Sequence, residues 1–217
     1  MQWSNRQPFV PPSILDRFDR SRLRRAALAY AAHGWAVTPG AYLSGHRFDC
    51  GRAGCRITGC HPAVDPITEP PATDPATVAA WWRRRPHNLL LPTGGAFDVL
   101  EVPAAMGSAA AARHAGAAGP VAVTAAGRWM FWVRPGTPLR PELELRLDVV
   151  RHGAGSWVPA PPSRLVEGPV RWVVPPTSVD WRLPAAESVQ EVLAGCAPRE
   201  RRHLVVPRQV STSRRAA

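Results

Sequence analysis

Cys50, Cys55 and Cys60 fall within one short stretch that also carries His61, and His46 stands just upstream. Thiolate sulfur and imidazole nitrogen are the ligands that tetrahedral zinc prefers. In a cytosolic chain such a cluster favours a metal over disulfides. Cys50, Cys55 and His61 supply three donors, and either Cys60 or His46 supplies the fourth. Cys60 and His61 are neighbours in sequence, so reaching one ion with both would strain the chain, and one of them is expected outside the site. The spacing is not that of a standard zinc finger, and free thiols in a flexible loop are the alternative. No nearby Glu is placed as an acid–base, so the expected zinc is structural rather than catalytic.

A second chemistry comes from arginine. The formal net charge is +11, and all 27 basic residues are Arg, with no Lys. A guanidinium fork pairs two phosphate oxygens at once, so the surplus points to nucleic acid or a nucleotide. The heavy use of Pro, Ala, Gly and Arg also fits a GC-rich coding bias, which leaves a merely solvated basic surface as the alternative. The densest runs are Arg83-Arg84-Arg85 and Arg199–Arg202. The first lies at a helix end, where cations are favoured in any case. Among the acids, Asp98 and Glu101 share one apolar run but lie three residues apart, so a regular strand points them to opposite faces.

These groups need elements to hold them. The chain has 217 residues, of which 45% are apolar, enough for one sizeable domain with a real core. No apolar run is long enough to span a membrane, and the N-terminus lacks the apolar stretch of a signal peptide. The expectation is a cytoplasmic protein with no membrane partner. The pattern predicts an arm over 1–20, a domain over 21–197 and a basic tail over 198–217. Within the domain, Leu23, Ala27, Leu28 and Ala31 recur at helical spacing over 21–33, and Gly34 ends that helix. A strand at 35–38 is followed by the Cys/His loop, which has no periodicity. Thr73-Asp74-Pro75 starts a helix that Pro86 ends, and one of the adjacent Trp81 and Trp82 is core. Strands follow at 88–92 and 97–102 across Thr93-Gly94-Gly95, then an Ala-rich helix at 108–115. Hairpins are expected at 121–133 and 143–159, a further strand at 170–174 and a last helix at 184–193. Mixed strands and helices with several hairpins argue for an α+β fold.

Three features occur in a telling order. Gly34-Trp35-Ala36-Val37-Thr38-Pro39 leads to a Cys loop ending in Gly59-Cys60-His61-Pro62. Ala72-Thr73-Asp74-Pro75 opens a helix with Trp81-Trp82, followed by Pro86, Asn88 and Thr93-Gly94. Asp148 precedes a Gly-rich turn and Val158-Pro159-Ala160-Pro161-Pro162-Ser163. Together, over about residues 26–165, they resemble the bifunctional DNA primase/polymerase N-terminal domain, the prim-pol branch of the archaeo-eukaryotic primases. The resemblance implies an RRM-like mixed sheet with flanking helices. It also implies template-directed nucleotide addition by two divalent metals, Mg²⁺ or Mn²⁺, which need clustered carboxylates. On that resemblance Glu101 takes the first acidic position of the metal-binding strand and Asp148 the third carboxylate. Pro103 replaces the second acid, and Met130 stands where the family has a nucleotide-contacting His. Nucleotide or nucleic-acid contacts are expected at Arg128, Arg151 and Ser163. Arg128 or Arg151 pairing with Glu101 is the structural alternative.

Two lost groups in one site imply a catalytically impaired member that binds nucleic acid, most simply DNA, or a nucleotide, and acts as a regulatory module, with a protein partner as an option. An active metal-dependent primase/polymerase and a protein-interaction domain without a nucleic-acid role stay open as alternatives.

Overall fold

A computed structural model describes residues 14–113 and 119–197. The expected tail with Arg199–Arg202, and most of the expected arm, lie outside the described residues. Helix α1 spans Ile14–Ala32, so it starts earlier than its apolar spacing alone indicates. Strand β1 (Thr38–Gly40) follows, then a ribbon of β2 (Tyr42–Ser44) and β3 (Arg47–Asp49) inside the stretch that shows no periodicity. Helix α2 is Pro75–Trp81. Its start is built as the sequence indicates: the Asp74 carboxylate accepts from the Thr77 N–H at 2.8 Å, and Pro75 sits where no N–H is needed.

Strands β4 (Asn88–Pro92) and β5 (Asp98–Pro103) come next, then helix α3 (Ala104–Arg113). The hairpin β6 (Val121–Val123) and β7 (Arg128–Val133) forms as expected. Residues 141–144 form a short helix α4 (Pro141–Glu144) instead of opening a strand. Pro at its first position and two glutamates in its first turn favour a helix start there. Strands β8 (Val150–His152), β9 (Trp157–Pro159), β10 (Arg164–Leu165), β11 (Gly168–Pro169) and β12 (Arg171–Val174) follow, and helix α5 (Ala186–Cys196) closes the described chain.

Two antiparallel sheets dominate, one in the order β12-β6-β7-β5-β8 and one in the order β1-β4-β9. Sequence neighbours β4 and β5 therefore do not pair, and neither do β8 and β9; each pair crosses from one sheet to the other. The reason is burial. Leu89, Leu90 and Leu91 are all fully buried, so β4 is apolar on both faces and must be sandwiched. Gly94 makes the crossing between β4 and β5 with φ +89°, and a Cβ there would collide with the Ala154 backbone. Thr93 ties the two crossings together. Its N–H donates to Ser156 O at 2.9 Å and its hydroxyl to Gly153 O at 2.6 Å.

Alternation along β5 and β7 divides the core in two. Leu100, Val102, Phe131 and Val133 face α3, α4 and α5. Val99, Met130 and Trp132 face the opposite way, toward Leu89, Leu91 and Val158 of the smaller sheet and Ala27 and Tyr30 of α1. Glu101 belongs to this second face.

Candidate functional site

The register fixes what surrounds Glu101. Met130 on β7 and Val150 on β8 lie directly opposite it, and Pro103 pairs with Arg128. Residues directly opposite in antiparallel strands share a face, as do residues two apart on one strand. Glu101 is thus framed by Val99, Pro103, Met130 and Val150, none of which offers an oxygen ligand. Met130 is buried in the core, where its thioether packs as an apolar side chain.

Arg128 and His152 reach Glu101 diagonally. Arg128 Nε donates to Oε1 at 2.7 Å, and His152 Nε2 donates to Oε2 at 2.9 Å. A carboxylate only accepts, so His152 carries its proton on Nε2; its Nδ1 lies 3.1 Å from the Ser156 hydroxyl. Arg128 also donates from Nη2 to Asp148 O at 2.9 Å. Burial raises the Glu101 carboxyl pKa, but the bonds from His152 and Arg128 outweigh it and hold the group below its ordinary value. Glu101 is an anion whose two oxygens are each already taken by a nitrogen donor.

The Asp148 carboxylate is held by a different arginine. Asp148 lies in the turn before β8, and Arg146 holds its carboxylate bidentately, with both bonds at 3.1 Å. Among the described residues, Glu101, Asp148 and His152 do not form a converging group of three metal ligands. Glu101 on this face is one paired acid among apolar neighbours, whereas Mg²⁺ or Mn²⁺ ions need several free oxygens.

Two of the expected nucleotide contacts are committed elsewhere. Arg151 turns to the opposite face and donates from Nε and Nη2 to Asp98 Oδ2, at 3.0 and 2.8 Å. Asp98 is 1% exposed and also accepts from the Gly136 N–H, so the pair is a buried structural clamp. Ser163 is fully buried; its hydroxyl accepts from Leu89 N–H and donates to Leu89 O. Asn88 works beside it, bonding the Arg164 backbone in both directions. The Pro-Pro-Ser element thus stitches β4 to the chain after β9.

The Cys/His loop presents a contrasting donor set. Cys50 Sγ, Cys55 Sγ and a ring nitrogen of His61 all lie within 4.8 Å of one another. His61 Nδ1 donates to Gly59 O at 2.8 Å, which leaves Nε2 with its lone pair directed to Cys55 Sγ at 3.4 Å. Such a bond fixes the tautomer and ring plane of a ligating imidazole. Cys60 does not join them. Its sulfur faces Ala41 O and Asn88 Nδ2, both at 3.6 Å. Burial pushes its thiol pKa up to about 11, only partly offset by the Asn88 bond. His46 is exposed at the β2–β3 turn, outside the group. Adjacent Cys60 and His61 thus turn to different partners.

A family model for the bifunctional DNA primase/polymerase N-terminal domain matches residues 27–189. That is well over half of the 217 residues. The chain belongs to this family. No curated protein matches it significantly. The prim-pol match spans both sheets, the Cys/His loop and the Glu101 face, and the antiparallel sheets with flanking helices agree with such an α+β domain. Membership supports contact with nucleic acid or nucleotide. Among the described residues no helix is long and apolar enough to cross a membrane.

His152 is the site residue that the sequence does not single out. Its signal is its place in β8, two residues beyond Val150 and immediately before the Gly153–Gly155 turn, but the signal is legible only once the β5–β8 register is known.

Proposed function

We propose that this prim-pol domain is catalytically impaired and serves as a nucleic-acid-binding or nucleotide-binding module with a regulatory role in DNA metabolism, in the cytoplasm. One observation carries the reading: Arg128 and His152 occupy both oxygens of Glu101, the acid at the first metal position. A guanidinium on a carboxylate supplies the charge compensation a divalent ion would otherwise give. With Pro at 103, Met at 130 and Val at 150, the face lacks the oxygens needed to bridge a triphosphate. Losing such transition-state charge stabilisation lowers turnover by orders of magnitude.

Cys50, Cys55 and His61 support a structural zinc in the loop, with the fourth position outside Cys60 and His46. When bound, the ion would cross-link a stretch that has little core of its own. His61, fixed by Gly59 O, and the β2–β3 ribbon hold the loop in shape for it.

Primer extension with purified protein, in Mg²⁺ and separately in Mn²⁺, tests the impairment. The expected result is no incorporation above the level of a Glu101→Ala variant. Robust incorporation that Glu101→Ala or Asp148→Ala abolishes would establish a working polymerase.

A further inference from the structure

Among the described residues, a group of arginines with no acidic partner lies away from the Glu101 face. A solvent-open cleft of about 290 Å³ runs between α1 and the end of α2. Arg20, Ser21 and Arg24 line it from α1; Ala79, Trp82 and Arg83 line it from the other side. No acidic residue lines it, and among the described residues none of these three arginines pairs with an acid. Asp19, the nearest acid in sequence, pairs with Arg22 instead.

The usual account of cations at a helix end covers only part of this arrangement. Arg20 Nη1 donates to Arg84 O at 3.4 Å, which satisfies a carbonyl just past α2. Among the described residues Arg24 and Arg83 cap no carbonyl in this way, and both are exposed. Arg20 and Arg24 are four residues apart, hence one helical turn and about 5–6 Å from each other. Like charges at that spacing repel, and an anion in the cleft relieves the repulsion.

We infer that this cleft binds the phosphate backbone of a nucleic acid. Arg20 and Arg24 lie one helical turn apart on α1, with Arg83 across the cleft from them. Cations at that spacing can each meet a separate phosphate of a nucleic-acid backbone. Trp82 is buried and packs into the core beneath, so the walls are rigidly seated. The inference rests on the nucleic-acid-binding part of the function proposed above, and it assigns that binding to a place distinct from the carboxylate face.

The test is fluorescence anisotropy of labelled single-stranded and duplex oligonucleotides over a range of salt concentrations, using the full chain. The variant is Arg20→Gln/Arg24→Gln/Arg83→Gln. Arg182→Gln is the control, since that side chain is 81% exposed and pairs with Asp180. Removing three phosphate contacts should flatten the slope of log affinity against log salt by about 2–3. Between 50 and 200 mM salt that corresponds to about 16–64-fold less change in affinity than for the wild type. Arg182→Gln should keep the wild-type slope. The matching triple Arg→Lys variant should retain most of it, which separates lost charge from lost fold. Inorganic phosphate at matched ionic strength should not compete. Wild-type affinity and slope in the triple Gln variant would overturn the cleft assignment while leaving the proposed function standing, and effective competition by phosphate would make the cleft a free-anion site. Absence of salt-dependent binding by the wild-type chain would overturn both the cleft assignment and the nucleic-acid-binding part of the proposed function.

Discussion

The Cys/His loop and the Glu101 face are both places where the sequence points to a metal, and they differ in what compensates the negative charge. In the loop, two sulfurs and one imidazole nitrogen converge, with the imidazole oriented by Gly59 O. On the sheet face, an arginine and a histidine already hold both oxygens of the one acid. The loop offers a converging donor set that could hold a metal, whereas the face is a donor whose partners are built into the chain. Nearby donor residues therefore do not identify a metal site until their partners are known.

The largest expected effect tests the loop half of that contrast. Cys55→Ser should reduce bound zinc from about one ion per chain to near none. It should also cost upward of about 5 kcal/mol in stability. That lies below the ~10–16 kcal/mol typical of zinc peptides, because the ribbon and the His61 bond hold part of the loop without the ion. Elemental analysis together with chemical denaturation measures both. Wild-type protein purified free of metal, with stability indifferent to Cys55→Ser, would erase the contrast.

The next effect sharpens it within a single strand. Asp98 and Glu101 lie on opposite faces of β5, and each is held by an arginine. Asp98 is buried to 1% exposure, while the Glu101 side chain keeps 22%. Removing one partner of a buried pair strands the other charge in a low dielectric. Arg151→Ala should therefore cost about 3–5 kcal/mol. Arg128→Ala should cost less, about 1–3 kcal/mol, since Glu101 retains His152 and some water. Urea unfolding ranks the two, and the opposite ranking would mean that the Glu101 face is the more tightly closed of the two.

Much of the architecture is legible without coordinates. The Asp74 cap, the β6–β7 hairpin and the period-two logic that separates Asp98 from Glu101 are local properties, written in residues a few positions apart. The strand partners are not legible. β4–β5 and β8–β9 each look like a hairpin in sequence, and only the need to cover a strand buried on both faces sends their members to different sheets. For the same reason His152 is invisible in the sequence, and Arg151 reads there as a nucleotide contact rather than as the partner of Asp98. Both places follow from the β5–β8 register, between residues about fifty positions apart. Cys60 is ambiguous in sequence because its fate depends on Asn88 and Ala41, two distant groups that claim its sulfur.

The smallest expected effect lies in acid stability, and it bears directly on whether Glu101 is an ion-paired structural group. Its carboxyl is held below its ordinary value in the folded protein, where burial is outweighed by His152 and Arg128. A folded-state value below the unfolded one means that the unfolded chain binds the proton more readily. The resulting stabilisation is fully present above the ordinary glutamate value near ~4.3 and is lost as pH falls through the lowered folded value. Glu101→Gln removes this dependence. Wild type should exceed Glu101→Gln in denaturation midpoint at pH 6, and the gap should close on acidification below about pH 4. A gap that stays constant with pH would mean that Gln perturbs packing rather than charge, and that Arg128 does not neutralise this acid.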